Sequence, residues 1–216
     1  MARQGIPFVV SAPSGTGKTT VCRALVEADA GLRFSISHTT RPPRPGERDR
    51  EDYYFVSRER FAELAAGGTF LEHAEYAGNL YGTSWAAIDE PLAAGIDLLL
   101  EIEVQGARQV RARRRDARLV FLVPPSFAAL EERLRRRGSD SPEAVQARLE
   151  LARRELSAVE WFDYVIVNDE VPRCVAALRE VIDAERRGES GAARARHGRE
   201  AVLPAVRHRL PLGASG

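Results

Sequence analysis

Five short apolar runs, each nearly unbroken, are spaced along the chain: IPFVVS (6–11), RFSIS (33–37), IDLLLEIE (96–103), RLVFLV (118–123) and DYVIV (163–167). Continuous rather than alternating hydrophobicity marks a strand whose sheet is covered on both faces. Helical patterns separate most of the runs. KTTVCRALVEA follows the first, VQGARQVRARRR the third and VPRCVAALREVIDAERR the last. Strands alternating with helices predict an α/β fold, a doubly wound parallel sheet that binds ligands at the carboxyl ends of its strands. A length of 216 residues suits one such domain with small inserts.

Two stretches interrupt the alternation. Residues 38–93 hold DYYFV and TFLEHAEY, which alternate polar and apolar and so predict half-exposed antiparallel strands. RERFAELAAGG between them predicts a helix ending at Gly67–Gly68. Together they predict an inserted subdomain. Residues 126–160 hold two helical patterns around GSDSPE, where Ser141, Pro142 and Glu143 read as cap, first-turn proline and first-turn acid. This pair is expected to form a helical lid, which leaves residues 1–37, 94–125 and 161–187 as the core. From Gly188 onward five arginines stand against two glutamates and no period is sustained. Residues 188–216 are therefore expected to be a disordered basic tail, with a weak nucleic-acid contact as the lesser alternative.

Between the first run and the first helix lies SAPSGTGKTT (11–20). A strand, a glycine-rich turn and a helix set consecutive backbone N–H groups around an anion at the helix N-terminus. The spacing is that of a phosphate loop, with Ala12 where the pattern has its first glycine. Gly15 and Gly17 permit close backbone approach, Lys18 is placed to reach the β/γ-phosphates, and Thr19 to ligate magnesium through its hydroxyl. Alanine is the least bulky replacement for the missing glycine; it is expected to add some strain and removes no donor. The loop predicts a P-loop NTPase-type core. It names no reaction, because ATPases, GTPases and many kinases share it.

SHTTRPPRPGERDREDYYF (37–55) places Arg41 and Arg44 three apart on a loop stiffened by prolines, with tyrosines at 53 and 54. Two guanidinium forks and a phenol suit a phosphate monoester. The residues alone leave a solvated basic loop as an equal alternative. The run RQVRARRRDAR (108–118) reads as surface.

These stretches, taken with FLEHAEYAGNLYGTS, LLLEIEVQGARQV, VFLVPPS, RLRRRGSDS and VIVND, resemble the guanylate kinases over roughly residues 6–185. The resemblance implies an ATP-dependent enzyme converting GMP to GDP, with the insert as its nucleoside-monophosphate-binding subdomain and magnesium accompanying ATP. It implies that Arg41, Arg44, Tyr53 and Tyr81 hold the GMP phosphate and that Ser37, Glu72 and Thr83 read the guanine. The chemistry agrees: a carboxylate at Glu72 can accept from N1–H and N2, and a hydroxyl at Ser37 or Thr83 can donate toward O6. On an alternating strand, Glu72 by itself would pass for a solvated side chain. The resemblance implies that ATP lies on Ala12, Pro13, Ser14, Gly15, Thr16, Gly17, Lys18, Thr19 and Thr20, with Arg133, Arg137 and Asn168 beside it. Lys18, Arg44, Arg137 and Arg148 are implied as the catalytic cations that offset charge on the phosphoryl group in flight.

Three positions depart from the family pattern. Glu101 and Glu103 are both glutamate where aspartate is usual at one or both positions; both are expected on the acceptor side, as nucleotide contacts or through water to magnesium, and which role falls to which is open. Arg50 replaces a small residue and is expected to face solvent. The third is Ala12. A net charge of +1 excludes nucleic-acid or membrane binding by bulk charge, so no specific nucleic acid is expected as a partner. Two distant cysteines exclude a disulfide framework and fit a reducing cytoplasm. MARQGIPFVV is too short in apolar residues for a secretory signal, and no run spans a membrane. Homo-oligomerisation is left open. Two rival readings are a phosphopeptide-binding module that has lost catalysis and a sugar-phosphate kinase. The intact Gly15–Thr19 loop weighs against the first, and the set Ser37, Glu72 and Thr83 against the second.

Overall fold

The computed structural model describes residues 3–136 and 141–212. The chain runs β1 (Pro7–Ser11), α1 (Lys18–Ala28), β2 (Leu32–Phe34), β3 (Ser37–Thr39), β4 (Tyr53–Phe55), α2 (Arg58–Ala66), β5 (Phe70–Tyr76), β6 (Asn79–Ser84), α3 (Trp85–Ala93), β7 (Asp97–Glu101) and α4 (Val104–Arg113). It continues through β8 (Arg118–Val123), α5 (Phe127–Arg136), α6 (Pro142–Leu156), a 3-10 turn (Ser157–Trp161), β9 (Tyr164–Val167), α7 (Val171–Arg186), α8 (Ser190–His197) and α9 (Arg199–Val206). The larger sheet has the strand order β2-β7-β1-β8-β9, and the smaller one β4-β3-β6-β5. β2–β7 and β8–β9 are parallel pairs, as the continuous apolar runs require. The chain falls into two compact units, residues 1–9 with 30–117 and residues 10–29 with 118–216.

In the first unit the run RFSIS does not form one strand. Leu32–Phe34 pairs with β7, whereas Ser37–Thr39 belongs to the smaller sheet. The insert is also not wholly antiparallel. β6 runs antiparallel to β3 and β5, but β4 pairs parallel to β3, with Ser37 opposite Tyr53. The thirteen-residue connection through the prolines is long enough to bring β4 back in the same direction, which a tight hairpin cannot do. A two-residue turn at Ala77 (φ 49°) and Gly78 (φ 76°) joins β5 to β6 with both centres left-handed, the geometry that matches hairpin twist. Phe61 of α2 stacks on Phe70 at 4.7 Å under this sheet, and His38 stacks on Tyr54 at 4.7 Å. Burial lowers the His38 pKa, so the ring is an uncharged member of that aromatic layer near neutral pH.

Among the described residues only Arg50 and Ala77 combine a side chain with a positive φ. Arg50 (φ 64°) leads into β4, donates its N–H to Tyr53 O, and holds its side chain out in solvent as expected. Glycine carries no Cβ penalty there. Arg50→Gly is expected to stabilise the chain by roughly 0.5–1 kcal/mol, read as a higher urea midpoint with an unchanged slope.

In the second unit α5 and α6 pack through Leu130, Leu134, Val145, Leu149 and Ala152. Ser141 caps α6, accepting from the Ala144 N–H, with Pro142 in the first turn, as the sequence predicts. Segment 188–212 is not disordered. It forms α8 and α9 and buries Ala193, Leu203, Val206 and Leu210. Its arginines, which made it look like a solvated tail, are engaged instead. Arg194 lies over the Tyr164 ring at 5.5 Å, Arg207 pairs with Glu160 at 2.8 Å, and the Arg209 carbonyl accepts from Phe127 N at 3.0 Å. The start of α8 is tied down where Ser190 joins Arg118 and Tyr164 in hydrogen-bonding the buried carboxylate of Glu185. Too few apolar residues are present for this segment to fold alone, but docking against β9 and α7 offsets its ordering entropy. A chain ending at Gly188 is expected to lose roughly 2–5 kcal/mol of stability, from exposure of the apolar surfaces on both sides of that contact. An unchanged urea midpoint would show the packing to be idle.

Candidate functional site

The phosphate loop is built by the residues that the motif demands. Gly15 (φ 87°) and Gly17 (φ 96°) are both left-handed, and a Cβ on Gly15 would stand 2.6 Å from Leu134 Cδ2. Thr16 N donates to Pro13 O at 3.1 Å, closing the turn, and α1 begins directly at Lys18. Ala12 is buried and does not take a positive φ, so the strain expected at the missing glycine is absent. Thr19 and Thr20 are exposed on the first turn of α1.

Around the loop, the second unit collects several of the sequence-predicted residues. Asn168 Nδ2 and Arg133 Nη1 donate to the Thr16 carbonyl at 2.7 and 3.3 Å, and Arg133 Nη2 donates to Asp169 O at 3.1 Å. These contacts line a cavity of about 400 Å³ with Gly15, Gly17, Arg136 and Val171. Thr16 lines it too, and its Oγ1 is buried without a partner among the described residues. Arg148 Nε donates to Ser14 Oγ at 3.2 Å, and Ser14 N donates to Glu155 Oε2 at 2.9 Å. Residues 148 and 155 lie two turns apart on α6, so one helix face holds the loop by a cation and a carboxylate. Glu155 was not legible in the motif, because nothing local marks which glutamate of a helix turns inward. Arg137 lies outside the described residues.

The first unit holds the residues expected on the acceptor side. β5 has a register shift between Phe70 and Glu72, so that Phe70, Leu71 and Glu72 are all buried and the alternation read from the sequence breaks. Glu72 is 3% exposed rather than solvated. Thr83 Oγ1 donates to Glu72 Oε1 at 2.6 Å and lies 2.9 Å from Ser37 Oγ. Thr83 has one proton and gives it to Glu72, so Ser37 is the donor in the second bond. The three residues expected to read a base therefore form one directed chain, Ser37 to Thr83 to Glu72.

Arg41 stands over the Tyr53 ring at 5.4 Å, and Tyr53 meets Tyr81 edge-on at 6.3 Å. Burial, reinforced by the charge of Glu101, raises the Tyr53 pKa, so its phenol stays a proton donor near neutral pH. Arg41 Nη2 donates to both oxygens of Glu47 at 2.9 Å, and Glu47 also accepts from Arg44 N at 2.7 Å. Burial pushes the Glu47 carboxyl up, but the Arg44 N–H and the Arg41 guanidinium outweigh it and hold it below the usual range. Glu47 thus clasps both ends of the arginine loop. Its place three residues after Arg44, inside RPPRPGE, is the local signal that could have singled it out. Glu103 is the N-cap position of α4 and makes no side-chain cap bond. The arginine run after it is not bare surface. Arg113 donates to Phe70 O and Leu71 O, Arg114 pairs with Asp89 and Asp116, and Arg118 pairs with Glu185.

Cys22 and Cys174 are buried, and burial pushes the Cys174 thiol up to about 12, so it is no nucleophile. Among the described residues no group of three or more His, Cys, Asp or Glu side chains could hold a metal ion, and no helix is long and apolar enough to cross a membrane. A magnesium ion coordinated mainly by nucleotide phosphates and water needs few protein ligands, and the exposed Thr19 hydroxyl fits that demand.

Comparison with known proteins gives the same picture. The guanylate kinase family model matches residues 4–185. The chain is 50% identical over 177 residues to the guanylate kinase of Thiobacillus denitrificans, covering 82% of this chain and 85% of that protein. It is 49% identical over 186 residues to that of Hahella chejuensis, covering 86% and 89%. The crystal structure of guanylate kinase from Anaplasma phagocytophilum superposes with a TM-score of 0.71 at 32% identity, covering 99% of each chain. With a matching model across most of its length and relatives at half identity, the chain belongs to the guanylate kinase family.

Proposed function

We propose that the chain phosphorylates GMP to GDP at the expense of ATP, by in-line transfer with closure over both nucleotides. An anionic oxygen of the GMP phosphate attacks the γ-phosphorus of ATP. The bond from that phosphorus to the β–γ bridging oxygen breaks, and ADP leaves with the electron pair. The attacking oxygen is already ionised, so no side-chain base is required. In this reading the loop from Ala12 to Thr20 holds the donor phosphates with its backbone N–H groups and Lys18. Arg133 and Asn168 form the wall beside it, and Arg41, Arg44, Tyr53 and Tyr81 hold the acceptor phosphate. Lys18, Arg44, Arg137 and Arg148 offset the charge that develops in flight, and closure keeps water from the γ-phosphate. Magnesium, held through Thr19 when bound with ATP, supplies further neutralisation of phosphate charge.

What carries the choice of acceptor is the buried carboxylate of Glu72 at the end of the Ser37–Thr83 chain. It is an acceptor-only group where guanine presents N1–H and N2–H. Its fit to guanine and the family match over residues 4–185 support a role in purine nucleotide metabolism, and we read the chain as a cytoplasmic enzyme. A coupled assay of ADP release against GMP, AMP and ribose 5-phosphate is the test. Turnover confined to GMP is expected; equal turnover of AMP, or ATP binding without any transfer, would overturn the reading.

A further inference from the structure

We propose that Gly106 is an acceptor-specificity position, whose lack of a side chain sets where the Glu72 carboxylate stands. The inference rests on the reading in which Glu72 receives the guanine edge. Gly106 is the third residue of α4 and is buried. It does not take a positive φ, so its backbone does not demand glycine. Glycine inside a helix costs about 0.5–1 kcal/mol relative to alanine, so local preference argues against it here.

What glycine supplies is room. A Cβ on Gly106 would overlap Glu72 Oε2, stand 3.1 Å from its carboxyl carbon and 3.3 Å from Ile102 Cδ1. The other carboxylate oxygen, Oε1, is held by Thr83 at 2.6 Å. The first turn of α4 thus faces the outer oxygen of a buried carboxylate, a favourable sign for the helix dipole.

The helix cannot simply back away. Gln109 Nε2 donates to His73 O at 2.7 Å, and Gln109 Oε1 accepts from His73 N at 3.2 Å. One turn further on, Arg113 Nη1 donates to Phe70 O at 3.2 Å and Leu71 O at 2.6 Å. These bonds pin α4 to β5 next to Glu72. Of the groups around an added methyl, the one it overlaps is the end of the Glu72 side chain, which in this reading is also the group that reads the base. The displacement that an added methyl forces therefore falls on recognition.

Gly106→Ala is expected to fold, the gain in helix propensity offsetting part of the strain on the buried carboxylate, and to lose on the order of 100-fold in kcat/KM for GMP with KM for ATP unchanged, the size of effect expected from displacing a recognising group by about 1 Å. Glu72→Asp withdraws the carboxylate from the methyl. In the double variant Glu72→Asp/Gly106→Ala the alanine is expected to add no further loss to that of Glu72→Asp alone. Losses that multiply, or a Gly106→Ala enzyme with wild-type kcat/KM for GMP, would overturn the proposal. Should Gly106→Ala fail to fold, Glu72→Ala/Gly106→Ala is expected to fold, because the clashing group is gone; failure of that pair as well would also overturn it. A wild-type chain that does not phosphorylate GMP would sink the functional reading instead, so the two failures are distinguishable.

Discussion

Lys18→Ala is expected to lower kcat for GMP phosphorylation by roughly a hundred- to a thousandfold, the size of effect seen when one preorganised charge stabiliser is removed. The cause lies in how the loop is built. Gly15 and Gly17 are left-handed, the chain turns back on itself at Pro13–Thr16, and α1 starts at Lys18 without an intervening residue. The backbone N–H groups there offer partial charges, whereas Lys18 is the full charge on the loop itself. In the proposed mechanism, removing it leaves the donor cradle standing and takes away the cation whose interaction grows as the γ-phosphoryl group loosens. The loss is therefore expected mainly in kcat, with a smaller change in KM for ATP and none in KM for GMP. Steady-state ADP release at saturating substrates, with the melting temperature as a control for folding, decides it. A kcat within tenfold of wild type would remove Lys18 from the catalytic set.

The second large effect is expected at Glu72. Glu72→Ala should lower kcat/KM for GMP by roughly 10²- to 10⁴-fold, since each hydrogen bond to a charged group is worth about 1.5–3 kcal/mol and two guanine donors lose their acceptor. KM for ATP is expected to stay put, because Glu72 is bonded to Thr83 of the expected acceptor set. Discrimination against AMP should narrow at the same time. Adenine presents an N6 donor and no N1–H, so a site without the carboxylate no longer has a group that only guanine satisfies. Thr83 would lose the acceptor of its proton while Ser37 kept Thr83 as its own, so part of the loss comes from disordering the end of the chain that Glu72 terminates. Parallel kinetics on GMP and AMP give the answer. A loss equal for both bases would mean that Glu72 supports the fold of the insert rather than the choice of base.

Much of the donor side was legible because its rules are local. KTTVCRALVEA predicts a helix, and α1 occupies those residues, Lys18–Ala28. The left-handed glycines, the Ser141 cap and four of the five parallel strands likewise follow from residue type and spacing along a few positions. The residues expected on the acceptor side could be singled out because SHTTRPPRPGE and FLEHAEYAGNLYGTS are distinctive strings, but their arrangement could not. Periodicity reports that a face is covered and is silent on what covers it. RFSIS therefore looked like one strand although its two halves serve different sheets, and the bulge that buries Glu72 left no mark in an alternating pattern. The helical segment 188–212 failed for the same reason: its few apolar residues are too sparse to predict folding, and their partners on β9 and α7 lie elsewhere in the chain.

By itself the sequence determined a glycine-rich phosphate loop with its lysine, because those properties reside in side-chain types and short-range backbone preference, and its resemblance to the guanylate kinases singled out the arginines, tyrosines and glutamates expected to receive a purine monophosphate. Only the tertiary structure decided which groups hold the others in place. Glu47 on Arg41, Glu155 on the loop at Ser14, and the space left by Gly106 for Glu72 are pairings between distant or oppositely running segments. Their partners are chosen by how elements dock, which no local pattern encodes.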